Sequence, residues 1–141
     1  VDGVEVSDLE VGRSGPSWTV DTLRTISSEH PAWDLVLVLG EDMAASLDTW
    51  REPSEVVELA TIAWVGRPGG AGESGGERIS SLVNGLGGTD PVQLEMPPVD
   101  ISSTLVRERC ATGEPVAELV PAGVDWLIAE RGLYRNGGGG V

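Results

Sequence analysis

Apolar positions in this chain follow two rhythms. Short apolar stretches read as strands: the segment after Asp34 through Leu39, closed by Gly40, then Thr61 to Val65, and Val92 to Met96. The first two, nearly unbroken, suit parallel strands buried on both faces. Elsewhere the apolar residues spread to helical spacing. Ser17 stands as N-cap for a helix marked by Trp18, Leu23 and Ile26, which stops before Pro31. Met43 to Trp50 reads as helix, Pro53 to about Ala60 as another with proline in its first turn, and Arg78 to Leu86 as a third. Val1 to Val11 alternates loosely, as a strand or sheet edge would, until Gly12, Gly15 and Pro16 break it. A helix opening near Ser103 ends by Gly113. A last one, through Val124, Trp126, Leu127 and Ile128, stops at Gly132.

Strands alternating with helices predict an α/β fold with a mainly parallel sheet and helices on both faces. The expected organisation is one domain over residues 1–136, with the glycines of 137–141 as a flexible tail. Arg67 to Gly76 reads as a Gly-rich connection. Ligands of open parallel sheets bind beyond the carboxyl ends of the strands. Gly40-Glu41-Asp42, Gly66 to Gly69, and Pro97 to Arg107 all fall at such ends, and are expected to converge on one edge.

Ile101-Ser102-Ser103-Thr104-Leu105-Val106-Arg107 is the densest of these stretches. It puts three hydroxyls at a helix start, where backbone N–H groups lack partners and the helix dipole is positive. Arg107 follows Ser103 and Thr104 by one turn, so it reaches the same helix end. The hydroxyls either cap the helix or hold a phosphate, and these residues alone leave both open. Trp50 is either a platform for a flat heterocycle or a core indole. Asp42 either faces a sugar hydroxyl or Mg²⁺-bound phosphate, or is a solvated loop carboxylate.

Composition narrows the chemistry. Across 141 residues there are 9 cations, all arginine, against 23 acidic residues, a net charge of −14. That argues against nucleic acid or an anionic membrane as partner, but leaves room for a small anionic ligand. No apolar run approaches bilayer length, and the first residues do not read as a signal peptide. Cys110 alone cannot form an internal disulfide, which fits a cytoplasmic protein and equally a disulfide-free secreted one; the cytoplasm is the expectation. One histidine and one cysteine exclude a soft metal cluster, so no protein metal site is expected. His30, before a proline at a helix end, reads as solvated or dipole-linked rather than as a catalytic base. With no lysine there is no P-loop. Gly70 to Gly75 matches G-x-G-x-x-G literally. It begins several residues after its strand and carries Glu73 where a phosphate would sit, so it reads as a connection.

Five motifs, in order, carry a resemblance. Ser17-Trp18-Thr19-Val20-Asp21-Thr22-Leu23 resembles the S-Y-T-x-D-T-L of bacterial nicotinate mononucleotide adenylyltransferases. Gly40-Glu41-Asp42 with Trp50 resembles their G-x-D…W, and Val65-Gly66-Arg67-Pro68-Gly69 their V-x-R-P-G. Ile101 to Arg107 resembles I-S-S-T-x-I-R. Leu119-Val120-Pro121 with Val124 and Leu133-Tyr134 resembles the L-V-P-x-x-V…L-Y ending. Each is weak alone, but together they span nearly the whole chain.

The resemblance implies a Rossmann-like nucleotidyltransferase fold. It implies transfer of AMP from ATP to nicotinate mononucleotide, with Mg²⁺, releasing pyrophosphate in NAD biosynthesis. It assigns Ser103, Thr104 and Arg107 to the ATP phosphates, with Arg107 as the catalytic cation. Gly40 and Asp42 go to the nucleotide sugar–phosphate region. Trp50 would stack on the pyridine, with Thr19 and Arg67 near the mononucleotide. A homo-oligomer is compatible with this reading. Trp18 stands for the family's usual tyrosine, Glu41 for a smaller residue, and Val106 for isoleucine. The family's N-terminal H-x-G-H, whose histidines contact ATP phosphates, has no counterpart in these residues. Residues 1–141 alone are therefore expected neither to fold as a stable monomer nor to turn over ATP. The strands ending at Leu39 or starting near Thr61 should then lack a neighbour. Two alternatives stay open: another nucleotidyltransferase, of the phosphopantetheine type, and a non-catalytic nucleotide-binding fragment.

Overall fold

A computed structural model describes residues 3–66, 72–97, 99 and 101–135. The chain divides into two compact units, Val1–Pro98 and Val99–Val141. The first is built on three parallel strands in the order β1 (Val36–Gly40), β2 (Thr61–Val65), β3 (Val92–Leu94). Leu37 lies opposite Ile62, Leu39 opposite Trp64, and Ala63 opposite Val92.

Strand alternation sorts these side chains onto two faces. Leu37, Leu39, Ile62 and Trp64 share one face, and the helices bury it. They are α1 (Thr19–Glu29), α2 (Glu41–Ala44), α3 (Pro53–Leu59) and α4 (Gly72–Gly85). Val20 and Leu23, Ala44, Val56 and Val57, and Ile79 and Val83 are the residues each contributes to that core, with Leu47 from a 3₁₀ turn at Leu47–Thr49. Trp64 sets the approach of α4: a Cβ on Gly76 would stand 3.3 Å from the indole. The opposite face carries Val36, Val38 and Val92, about half exposed. β2 is therefore the well-buried strand, whereas β1 is covered on one face only and β3 is exposed throughout.

Several expectations meet corrections. The run from Val4 to Val11 is not a strand: Val4 to Asp8 has no regular structure and Leu9 to Val11 lies in turns, no described strand pairs with it, and Val6 is 98% exposed. α1 is capped at Trp18 without a side-chain bond, and Ser17 instead donates to the Glu10 carbonyl. The helix expected over Met43 to Trp50 breaks into α2 and the 3₁₀ turn. Ser46 bonds back to the Met43 carbonyl and Thr49 to that of Ser46, a local competition that disfavours a continuous helix. The Gly-rich connection is shorter than expected, since α4 already begins at Gly72. That places the described part of the G-x-G-x-x-G match inside a helix. His30 is the C-cap residue of α1 and stacks on Trp33, ring centroids 3.8 Å apart.

The second unit pairs α5 (Ser103–Thr112) with α6 (Ala122–Arg131). Both end on a left-handed glycine, Gly113 at φ 79° and Gly132 at φ 58°, a conformation glycine adopts without a Cβ penalty. Cys110, Val116 and Ile128 form its small core, with Val106, Val120 and Leu133 packed against them. No helix among the described residues is long and apolar enough to cross a membrane.

Candidate functional site

In the first unit the start of α1 and the corner leading into α3 enclose a cavity of about 290 Å³. Thr19 opens α1, and Trp50 follows the 3₁₀ turn, so residues 31 positions apart meet on one wall. Trp50 is half-buried: its indole packs against the main core and also lines the cavity. Trp18, Met43 and Arg51 complete much of the lining, and the Arg51 guanidinium lies 5.6 Å from the centroid of the Trp18 ring. Arg51 was not among the residues expected here. Its adjacency to Trp50 is the trace it leaves in the sequence.

The corner holding Trp50 and Arg51 is tightly specified. Glu52 adopts φ 50°, ψ 55°, a left-handed conformation that costs a non-glycine residue roughly 1–3 kcal/mol unless its surroundings impose it. Pro53 then starts α3 at once. Arg24, on α1, ties the corner down. Its Nη2 donates to Glu52 Oε2 at 2.6 Å and its Nε to Glu55 Oε1 at 2.6 Å, while Nη1 reaches Asp21 at 3.0 Å. The Glu55 carboxyl is held below the usual carboxylate range by these Arg24 hydrogen bonds, which outweigh the opposing effect of desolvation. Arg24 is raised above its already high ordinary value, chiefly by its bonds to Glu55 and Glu52.

Gly40 and Asp42 lie where β1 gives way to α2: Gly40 is the N-cap residue and Asp42 sits in the first turn. Nothing stands within 4 Å of where a Cβ on Gly40 would be, so open space borders the backbone there. Gly66 follows β2 directly, while Arg67 lies outside the described residues.

In the second unit Ser102, not Ser103 or Thr104, is the N-cap of α5, accepting from the Leu105 N–H at 3.1 Å. The cap is thus filled, and the next two hydroxyls are not needed for it. Arg107 Nη2 donates to Thr104 Oγ1 at 3.2 Å, as the one-turn spacing requires. Ser103 and Arg107 line a cavity of about 430 Å³ whose remaining wall is mostly apolar, including Val106, Leu127 and Tyr134. Among the described residues no three His, Cys, Asp or Glu side chains gather as a metal cage.

These hydroxyl and aromatic constellations coincide with a close sequence relationship. A protein from Arthrobacter sp. (strain FB24), named "Probable nicotinate-nucleotide adenylyltransferase", is 40% identical over 131 residues, 93% of this chain and 58% of that protein. Proteins of the same name are 41% identical over 131 residues in Streptomyces coelicolor and 36% over 133 residues in Halalkalibacterium halodurans. This chain is a homologue of those nicotinate-nucleotide adenylyltransferases. It spans 58% of the length of the Arthrobacter and Halalkalibacterium relatives and 65% of the Streptomyces one. No family model matches it. The fold agrees with the relationship. Structures of the Plasmodium falciparum nicotinic acid mononucleotide adenylyltransferase, complexed with APC and with NaAD, each superpose with a TM-score of 0.64. Each is 17% identical and covers 86% of this chain, against 60% and 58% of the respective adenylyltransferase chains. The parallel sheet with its helices is a Rossmann-like nucleotidyltransferase fold.

Proposed function

We propose that this chain supplies much of a nicotinate-nucleotide adenylyltransferase, acting in the cytoplasm on ATP and nicotinate mononucleotide. One phosphate oxygen of the mononucleotide attacks the α-phosphorus of ATP. The bond from that phosphorus to the bridging oxygen breaks, and pyrophosphate leaves with the bonding electrons. The products are nicotinate adenine dinucleotide and pyrophosphate. The attacking group is already an anion, so the residues have only to position it and to offset charge at phosphorus.

In this reading the first unit's cavity takes the mononucleotide, with Trp50 against the pyridine and Thr19 beside it. Arg67 serves the same substrate. Gly40, open at its Cα, allows close approach of a sugar–phosphate, and Asp42 sits next to it in chain. Ser103, Thr104 and Arg107 bind the ATP phosphates, Arg107 offsetting the charge that grows in the transition state. Mg²⁺ would arrive on the triphosphate, since the described side chains form no cage for it and this ion commonly binds through substrate phosphates and water.

The observation that carries the proposal is the identity of 40% over 93% of the chain to the Arthrobacter relative. Those relatives give no support to a phosphopantetheine-type or non-catalytic reading. The test places residues 1–141 in the Arthrobacter protein, in exchange for the region they match. With ATP, Mg²⁺ and nicotinate mononucleotide, that chimera should form the dinucleotide and pyrophosphate in equal amounts. A folded chimera that releases no pyrophosphate would refute the proposal.

A further inference from the structure

We propose that Arg51 reads the carboxylate on the pyridine ring and so sets selectivity for the acid over the amide form of the mononucleotide. This rests on the reading above, that the first unit's cavity receives the pyridine.

Among the described residues Arg51 is the only charged side chain lining that cavity. Its described neighbours there, Trp18, Thr19, Met43 and Trp50, are neutral, so Arg51 is the charge that this wall offers to a charged ring substituent. The guanidinium carbon lies 5.6 Å from the centroid of the Trp18 ring. A cation–π contact of that kind uses no N–H donor and leaves the donors to other partners. Arg51 Nε donates to Glu52 Oε1 at 3.3 Å, but the other Glu52 oxygen is held by Arg24 at 2.6 Å. Glu52 is thus bound more closely to Arg24 than to Arg51, and Arg51 has four further N–H donors in a fixed fork. The left-handed backbone of Glu52 and the proline after it hold the segment bearing Arg51 in place. With 49% of its side chain exposed, Arg51 is also partly solvated, and a ligand carboxylate would replace water on it.

Ligand chemistry makes such a cation selective in two directions. The ring nitrogen of a pyridine mononucleotide is cationic. In the acid form a ring carboxylate offsets that charge and can accept two parallel N–H bonds from a guanidinium. In the amide form the carboxylate is absent, and the cationic ring would be set beside a second cation. One arginine therefore both attracts the correct ligand and rejects its near neighbour. A surface arginine that merely packs on Trp18 and pairs with Glu52 would do neither.

The test is a tryptophan-fluorescence titration of this chain, carried in the folded Arthrobacter chimera, with nicotinate mononucleotide and, separately, with nicotinamide mononucleotide. The unaltered chain should bind the acid form more tightly, and the preference should shrink as salt rises. Arg51→Gln should weaken the acid form by about tenfold, the size of a hydrogen bond to a charged group, while the amide form binds as well as before or better. Arg51→Lys should recover part of the preference. An Arg51→Gln chain that keeps the original acid-to-amide ratio overturns the proposal. So does one that loses both ligands equally together with its thermal midpoint. If a folded, unaltered chimera binds neither form, the reading of the cavity falls and takes this inference with it.

Discussion

Trp50 does two things with one indole, and the two can be separated. Part of the ring packs against the main core and part lines the cavity with Thr19. An aromatic stack is worth roughly 0.5–1.5 kcal/mol, so its loss costs about two- to tenfold in binding. In the active chimera, Trp50→Ala should raise the KM for the mononucleotide by that factor and leave the KM for ATP nearly unchanged. The melting temperature should fall as well, because the core loses contacts. Equal changes in both KM values would show that the indole serves the core alone. Arg107 presents the opposite case. It is exposed and donates to Thr104, its neighbour one turn back, so its removal takes little from the fold. A cation that acts on charge developing in the transition state shows in kcat/KM rather than in stability. Arg107→Ala should therefore lower kcat/KM for ATP by at least about tenfold with an unchanged melt. An unchanged rate would return α5 to an ordinary capped helix.

At the level of elements, what the sequence revealed depended on whether the signal was local. Proline and glycine punctuation is local: Pro31 and Gly132 bounded α1 and α6, Gly113 ended α5, and Pro53 began α3 as expected. β2 was equally legible, since its apolar run is buried on both faces. Competition was harder to read. Ser46 and Thr49 divert backbone carbonyls and split the segment before Trp50, and nothing in the apolar spacing announces that. The meeting of Thr19 with Trp50 followed only from the family resemblance, and Arg51 escaped notice because its role depends on a ring 33 residues earlier in the chain. Arg24 is a similar long-range case, joining α1 to α3 through Glu52 and Glu55. Its pairing with Glu55 has a pH signature. A carboxyl depressed in the folded state adds stability that is complete above its unfolded value, near 4.3, and is lost as pH falls through the lower folded value. Melting temperatures of the chain and of Glu55→Gln should thus differ most above about pH 5 and converge on acidification. A gap that stays constant across the acid range would mean that Glu55 contributes by packing and not by its charge.

At the scale of the whole molecule, the open side of the first unit's sheet meets an unusual charge. Among the described residues β1 has a strand neighbour on one side only, and its Val36 and Val38 side chains are 57% and 58% exposed. An uncharged strand edge with bare ladder groups is a template for pairing with another strand. Apolar surface beside it adds to the tendency. Opposing this is the net charge of −14, which makes copies of the chain repel one another. Repulsion between exposed charges is screened over about 10 Å at 0.1 M salt and about 3 Å at 1 M, whereas backbone pairing and apolar contact are not weakened in the same way. The balance should therefore turn with ionic strength. Residues 1–141 alone should sediment mainly as small species at low salt and associate increasingly as salt rises. Val38→Lys should suppress that association, because it places a charge on the exposed face of the edge strand. It should cost little melting temperature, since this side chain lies on the face away from the main core. If Val38→Lys associates as readily as the unaltered chain at every salt concentration, the edge of β1 is not where copies meet. A chain that stays monomeric and melts cooperatively throughout would show that β1 is stable as the outer strand, and that residues 1–141 fold without a further neighbour.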